Sequence, residues 1–104
     1  MITITPEAAA QIRHSAKEGR MEGMALRVAA QRNPDGSIHY GIGFDDESRD
    51  GDNHFKSEGI DIVVSPVSLD LVAGMTIDFV ELDDGNREFV FLNPNDPNYT
   101  PPAE

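Results

Sequence analysis

The sequence contains no cysteine and no tryptophan among its 104 residues. Without thiols the chain cannot form a disulfide, a zinc site built on thiolates, or an iron–sulfur cluster ligated by cysteine. Thiol nucleophiles and cysteine redox switches are excluded for the same reason. A chain of this length corresponds to one ordinary domain, which can bury a core without covalent staples.

Basic residues are also scarce, with 8 Lys and Arg against 19 Asp and Glu and a net charge of −11. Such an excess of acid argues against binding to nucleic acid or to an anionic membrane. The imbalance is local, because residues 1–32 carry five bases and three acids, whereas residues 33–104 carry three bases and sixteen acids. The acidic part either keeps the protein soluble or steers a protein partner with a basic surface.

Long hydrophobic runs are missing as well. No apolar stretch approaches the length of a membrane span, and residues 1–10 lack the basic and apolar regions of a secretory signal peptide. The sequence therefore predicts a cytoplasmic protein.

Two helix starts are marked by a capping residue followed by proline, Thr5-Pro6 and Ser65-Pro66. They predict a helix ending near Gly19 and a short second helix over about 67–73. Strands are predicted at 2–4, 24–30, 37–44, 60–64, 76–82 and 87–92, with a further short strand at 54–57. The fold class is therefore α+β, with mixed or antiparallel β-sheets curled into a sandwich-like core.

The strand at 37–44 carries glycine at positions 41 and 43, both on the same face. Glycine at alternate positions leaves that face bare, which predicts close approach by another backbone or by a helix. Four prolines follow Asn93, so residues 95–104 are predicted to form a flexible C-terminal tail after a single domain at 1–94.

Three stretches of the sequence recur together in one protein family. The first is Ile2-Thr3-Ile4-Thr5 followed by an alanine-rich helix. The second runs from Ser68-Leu69 through Gly74 to Ile77-Asp78-Phe79, and the third ends in Asn93-Pro94-Asn95. Over nearly its whole length the sequence resembles the A-type iron–sulfur carrier proteins of the HesB/IscA group. The resemblance implies a HesB-like fold.

The resemblance also shows what has been lost. In register, the three cysteines of the family fall on Asp35, Thr100 and Pro102, none of which supplies a thiolate. No cofactor is therefore expected, and the carrier activity is not carried over. The absence of all three thiols further resembles cysteine-free members of the family that accompany dissimilatory sulfite reductase in sulfur-oxidising bacteria.

Asp35 and His39 are the candidate metal ligands. Asp35 is a hard oxygen ligand suited to iron and His39 follows four residues later, so the two could share a mononuclear site. Alternatively, Asp35 is ordinary turn chemistry in Asn33-Pro34-Asp35-Gly36, and His39 is a surface or packed histidine. No fixed histidine spacing typical of a metal motif is present.

The densest acidic segment is the candidate partner-binding site. It comprises Asp45, Asp46, Glu47, Asp50 and Asp52. It lacks the ligand spacing of a calcium loop, so it is either a solvated loop or a docking patch for a basic protein.

No catalytic constellation stands out, since the sequence has neither a nucleophile elbow nor a glycine-rich phosphate loop. The sequence therefore predicts a non-enzymatic accessory or interaction protein, and the family resemblance implies that it acts in sulfur metabolism or iron–sulfur protein maturation. The alternative is a protein that binds and delivers mononuclear iron through Asp35, His39 and nearby carboxylates. The oligomeric state is left open.

Overall fold

A computed structural model describes residues 2–47 and 50–97 of the chain. These ranges contain seven strands and two helices, as the α+β prediction requires. In chain order they are β1 (Thr3–Ile4), α1 (Pro6–Glu18), β2 (Ala25–Arg32), β3 (Ile38–Asp45), β4 (Asn53–Ser57), β5 (Ile60–Val64), α2 (Pro66–Val72), β6 (Thr76–Glu81) and β7 (Arg87–Leu92). Neither helix is long and apolar enough to cross a membrane.

The strands form two mixed sheets. A four-stranded sheet has the order β3-β2-β5-β4, and a three-stranded sheet has the order β1-β6-β7. The pairs β2/β5 and β1/β6 are parallel, and the other pairs are antiparallel. Both sheets contribute apolar side chains to one core, which confirms the predicted mixed sheets around a shared core. Its fully buried members include Ile2, Ile4, Val28, Ile62, Val64, Val72, Met75 and Ile77.

The start of α1 is fixed by Thr5, as its sequence predicts. The Thr5 hydroxyl accepts a hydrogen bond from the amide of Ala8 at 3.2 Å and donates one to the carboxylate of Asp78 at 2.6 Å. The cap therefore also attaches the helix to β6. The buried face of α1 is made of small residues and Ile12, so the helix lies close against the sheet.

The second helix is joined to the other sheet through a buried serine. Ser65 caps α2 by accepting the amide of Ser68 at 3.4 Å. The Ser68 hydroxyl, itself 6 % exposed, accepts the amide of Ala30 on β2 at 3.2 Å. Each helix thus lies on a different sheet and is attached to it by a polar contact.

The segment after β7 closes the C-terminal end of α2. Asn93 is 1 % exposed, and its side-chain amide donates to the carbonyl of Leu71 at 2.7 Å. The amide of Asn95 donates to the carbonyl of Ala73 at 2.8 Å. These two side chains satisfy carbonyls that the last turn of a helix leaves without intrahelical partners.

Asn95 and Asp96 fall within the predicted tail at 95–104, yet their side chains bond to the folded domain. Asp96 accepts a hydrogen bond from the hydroxyl of Tyr40 at 2.7 Å. Anchored structure therefore continues past the predicted domain end at residue 94. The rest of that tail, residues 98–104, lies outside the described residues.

Tyr40 connects this segment to β3. Its ring stacks on Phe91 with centroids 4.8 Å apart, and its hydroxyl accepts the side-chain amide of Asn93 at 3.0 Å. Burial, followed by the hydrogen bond to Asp96, raises the pKa of Tyr40 to about 12. The neutral phenol is therefore the form that the fold favours.

We expect Asn93→Ala to lower the free energy of unfolding by about 1–3 kcal/mol, because the carbonyl of Leu71 and the hydroxyl of Tyr40 each lose a hydrogen bond from a buried side chain. Denaturant unfolding measures the loss. Asn86→Ala, at an exposed asparagine in the β6–β7 turn, is the matched control and should change stability by no more than about 0.5 kcal/mol. Equal losses in the two variants would contradict the capping role of Asn93.

We expect the titration of Tyr40 to be separable by mutation, since the chain has two tyrosines. The ultraviolet absorbance of tyrosinate should show a transition at about pH 12 that is absent from Tyr40→Phe. Because the pKa is raised in the folded protein, the contribution of the neutral phenol to stability is complete below pH 10 and is lost as the pH rises towards 12. A transition near pH 10 that disappears in Tyr40→Phe would refute this.

Candidate functional site

The turn that joins β2 to β3 holds the position at which the family resemblance places a cluster cysteine. The backbone amide of Asn33 donates to the carbonyl of Ser37 at 2.8 Å, and that of Gly36 donates to the carbonyl of Asn33 at 2.9 Å. Gly36 has a φ of 90°, which favours glycine at this point. Asp35 therefore lies at the tip of a tight turn closed by its own backbone.

The carboxylate of Asp35 is bound within this turn. It accepts the amide of Ser37 at 2.9 Å and the hydroxyl of Ser37 at 2.6 Å. The two bonds, the hydroxyl first, hold the pKa of Asp35 below its ordinary value. The side chain is exposed, and this geometry matches the interpretation of Asp35 as turn chemistry.

His39 lies on the outer face of β3, opposite Gln31 of β2, and is exposed. Within residues 2–47 and 50–97, no three His, Asp or Glu side chains are grouped so as to hold a metal ion. Asp35 and His39 thus belong to no larger ligand set in that part of the chain. Thr100 and Pro102, the other two positions that the resemblance assigns to cysteine, lie outside it.

A network of ion pairs holds the acidic segment against the four-stranded sheet. The guanidinium of Arg27 on β2 binds Asp52 through two nitrogens, at 2.7 and 3.2 Å, and binds Asp45 through Nε at 2.5 Å. The side chain of Asp52 is only 2 % exposed, and that of Arg27 is 16 % exposed. These bonds, the one to Asp52 first, raise the pKa of Arg27 above its ordinary value.

The network divides the predicted partner-binding residues into two groups. Asp45 and Asp52 are the anchors of the segment, since both bind Arg27. Asp46, Glu47 and Asp50 are exposed. The acidic surface offered to solvent is therefore smaller than the sequence suggests.

A cavity of about 290 Å³ lies between this segment and the sheet. Asp46, Glu47, His54 and Asp61 contribute its polar lining, and Phe55 contributes to its apolar part. His54 and Asp61 are not among the predicted site residues. They reach the cavity because β4 and β5 place them on the outer face of the same sheet as Arg27.

The close approach predicted for Gly41 and Gly43 does not occur within the described chain. A Cβ atom added at either glycine would have no described heavy atom within 4 Å, apart from the adjacent residues. Residues 2–47 and 50–97 therefore do not supply the predicted covering backbone or helix. Among these described residues, none covers the outer face of β3 at either position.

Comparison with known proteins identifies relatives along nearly the whole chain. The family described as "Iron-sulphur cluster biosynthesis" matches residues 1–100. The iron–sulfur cluster insertion protein ErpA of Mannheimia succiniciproducens is 33 % identical over 94 residues, covering 90 % of this chain and 82 % of the relative.

Two solved structures share the architecture. IscA, crystallised with a 2Fe–2S cluster, superposes with a TM-score of 0.76 at 27 % identity, covering 90 % of this chain and 86 % of that one. Escherichia coli SufA, described as involved in the biosynthesis of iron–sulfur clusters, gives 0.74 at 26 % identity, covering 96 % and 86 %.

These matches confirm the resemblance to the A-type carriers and the HesB-like fold. This chain therefore shares the scaffold of these proteins, and its own sequence contains no cysteine. The chain belongs to the iron–sulphur cluster biosynthesis family.

Proposed function

We propose that this chain is a non-enzymatic, cytoplasmic accessory protein of iron–sulfur protein maturation or sulfur oxidation. On this proposal it uses the family scaffold to bind a protein partner with a basic surface and holds no cysteine-ligated cluster. The observation that carries the proposal is the hydrogen bonding of Asp35. At the position that the resemblance assigns to a cluster cysteine, its carboxylate is bound by Ser37 of the same turn.

The acidic loop supports the choice of a basic partner. Asp46, Glu47 and Asp50 are exposed carboxylates close together in the chain. Arg27 binds Asp45 and Asp52, so both ends of the segment are attached to the sheet by residues other than the exposed carboxylates. A fixed group of like charges attracts an oppositely charged surface and repels one of the same sign.

Mononuclear iron binding, the alternative that the sequence raises, has less support. It depends on Asp35 and His39, which belong to no group of three potential ligands among the described residues. With only two protein ligands, most coordination positions of the metal ion would be filled by water. Selective sites use more protein ligands.

We expect the purified protein to stay colourless after anaerobic reconstitution with iron and sulfide, because it has no thiolate to ligate a cluster. Absorbance and iron analysis after desalting measure the result. IscA, which has been crystallised with a 2Fe–2S cluster, serves as the positive control under the same conditions.

A stoichiometric cluster absorbance in this chain would overturn the proposed function. Saturable binding of Fe(II) under argon that is lost in Asp35→Ala would replace it with the mononuclear alternative. Asp84→Ala is a matched control for that titration, since Asp84 is an exposed aspartate that binds within its own turn in the same way.

The proposed function also requires the acidic loop to be anchored. We expect Arg27→Gln to lower the free energy of unfolding by about 3 kcal/mol, because the buried Asp52 loses its two hydrogen bonds from the guanidinium and remains close to the carboxylate of Asp45. Denaturant unfolding measures the effect.

Arg32→Gln is the matched control, since Arg32 lies on the same strand but is exposed and donates to the carbonyl of Gly36 rather than to a carboxylate of the described residues. We expect it to change stability by no more than about 0.5 kcal/mol. If the two substitutions had equal effects, the Arg27 network would not be what anchors the loop.

A further inference from the structure

β3 is an edge strand that lacks the usual protection against pairing. Each sheet has two edges, formed by β3 and β4 in one and by β1 and β7 in the other. β1 has two residues, β4 carries Lys56, and β7 carries Arg87 and Glu88. β3 has eight residues, and no charged side chain occurs before Asp45. Short length and charge are among the devices that block an edge, and neither protects the stretch of β3 before Asp45.

The open edge of β3 presents a regular row of backbone groups. Its pairing with β2 is one-to-one from Arg32↔Ile38 to Ala25↔Asp45, with no bulge. The bond from the amide of Asn33 to the carbonyl of Ser37 sets the alternation, so positions 39, 41, 43 and 45 bond to β2. Positions 38, 40, 42 and 44 therefore direct their N–H and C=O groups away from β2. No described strand pairs with them.

Gly41 and Gly43 are unexplained within the described chain. Glycine in a strand weakens it, and the usual compensation is the close approach of another group. Neither glycine has such a neighbour in residues 2–47 and 50–97. As far as the described residues go, the outer face of this edge leaves room for an approaching segment at the two positions where the strand has no side chain.

The inner face of the same edge opens on an apolar cavity. This cavity, of about 350 Å³, lies between β3, α1 and β7. Its lining includes Ile42 and Phe44 of β3, Phe89 of β7 and Ile12 of α1. A strand added beside β3 would place every second side chain on this inner face, at the opening between the two sheets.

The charges at the two ends of β3 indicate which segment would fit. Exposed carboxylates lie before the strand at Asp35 and after it at Asp46 and Glu47. The nearest cations on β2 are engaged, Arg27 by Asp45 and Asp52 and Arg32 by the carbonyl of Gly36. A second copy of this chain carries the same net charge of −11, which opposes its approach.

We propose that β3 is a docking edge for an extended segment of a protein partner. The segment adds a strand to the four-stranded sheet, places apolar side chains at the cavity, and carries Lys or Arg at its ends. Main-chain hydrogen bonds supply binding, and alternate side chains supply selectivity. The inference rests on the proposed function, since it gives the basic partner its contact surface.

The test uses the full chain and a synthetic peptide of alternating threonine and valine with arginine at both ends. Amide hydrogen exchange is followed by nuclear magnetic resonance with and without the peptide. We expect the exchange of Tyr40, Ile42 and Phe44 to slow on addition of the peptide, because their amides gain acceptors. Gly41 and Gly43 should change little, since their amides already bond to β2. A peptide with glutamate at both ends should have no effect.

Two substitutions at Gly43 distinguish the effect of charge from the effect of side-chain size. A Cβ atom at Gly43 would meet no described heavy atom within 4 Å, so both Gly43→Lys and Gly43→Glu should fold. Gly43→Lys should weaken binding of the arginine-ended peptide by about tenfold, because it places a positive charge near the positive ends of the peptide. Gly43→Glu should bind it at least as well as the unchanged protein.

Four results would overturn the proposal. Slow exchange at Tyr40, Ile42 and Phe44 in the free monomer would mean that this chain covers its own edge. Slow exchange that appears only at high protein concentration would make a second copy the occupant. Absence of any peptide binding would show that β3 is not a docking edge. Perturbation confined to residues 46–50 would also reject it while leaving the proposed function intact, which the reconstitution experiment tests separately.

Discussion

The guanidinium of Arg27 joins three parts of the chain that the sequence separates. It lies on β2, and its two acidic partners lie at the end of β3 and just before β4. Val63, its neighbour across the β2–β5 pair, is only 3 % exposed although it is on the outer face. A planar group with several donors can satisfy two carboxylates at once, which a lysine ammonium does less well. The course of the acidic segment over the sheet depends on this one side chain.

Local features of the fold could be predicted from the sequence because their causes are local. Thr5-Pro6 and Ser65-Pro66 fix the two helix starts, and Asn33-Pro34-Asp35-Gly36 forms its turn with bonds between near neighbours. Alternation along β3 likewise predicts its inner and outer faces correctly. Each of these signals is complete within a few residues, so no knowledge of distant partners is needed.

Features that depend on distant partners could not be predicted in this way. The separation into two sheets, the role of Asn93 beneath Tyr40, and the division of the acidic candidates by Arg27 all join residues far apart in sequence. One signal for Arg27 was available, because a charged residue between Leu26 and Val28 must face away from the core. Its acidic partners could still not have been chosen among so many carboxylates.

The net negative charge of the chain bears on how an open edge strand is tolerated. An unprotected edge is a hazard mainly because identical molecules can pair through it. On the proposal that β3 is a docking edge, the protection comes not from positions 40–44, where glycines and apolar residues alternate, but from the carboxylates near the two ends of the strand and the net charge of the whole chain. Like charge repels a second copy from a distance, and the same field attracts a basic segment. An acidic protein can therefore leave a strand edge accessible to basic partners, while its own charge opposes pairing between two copies.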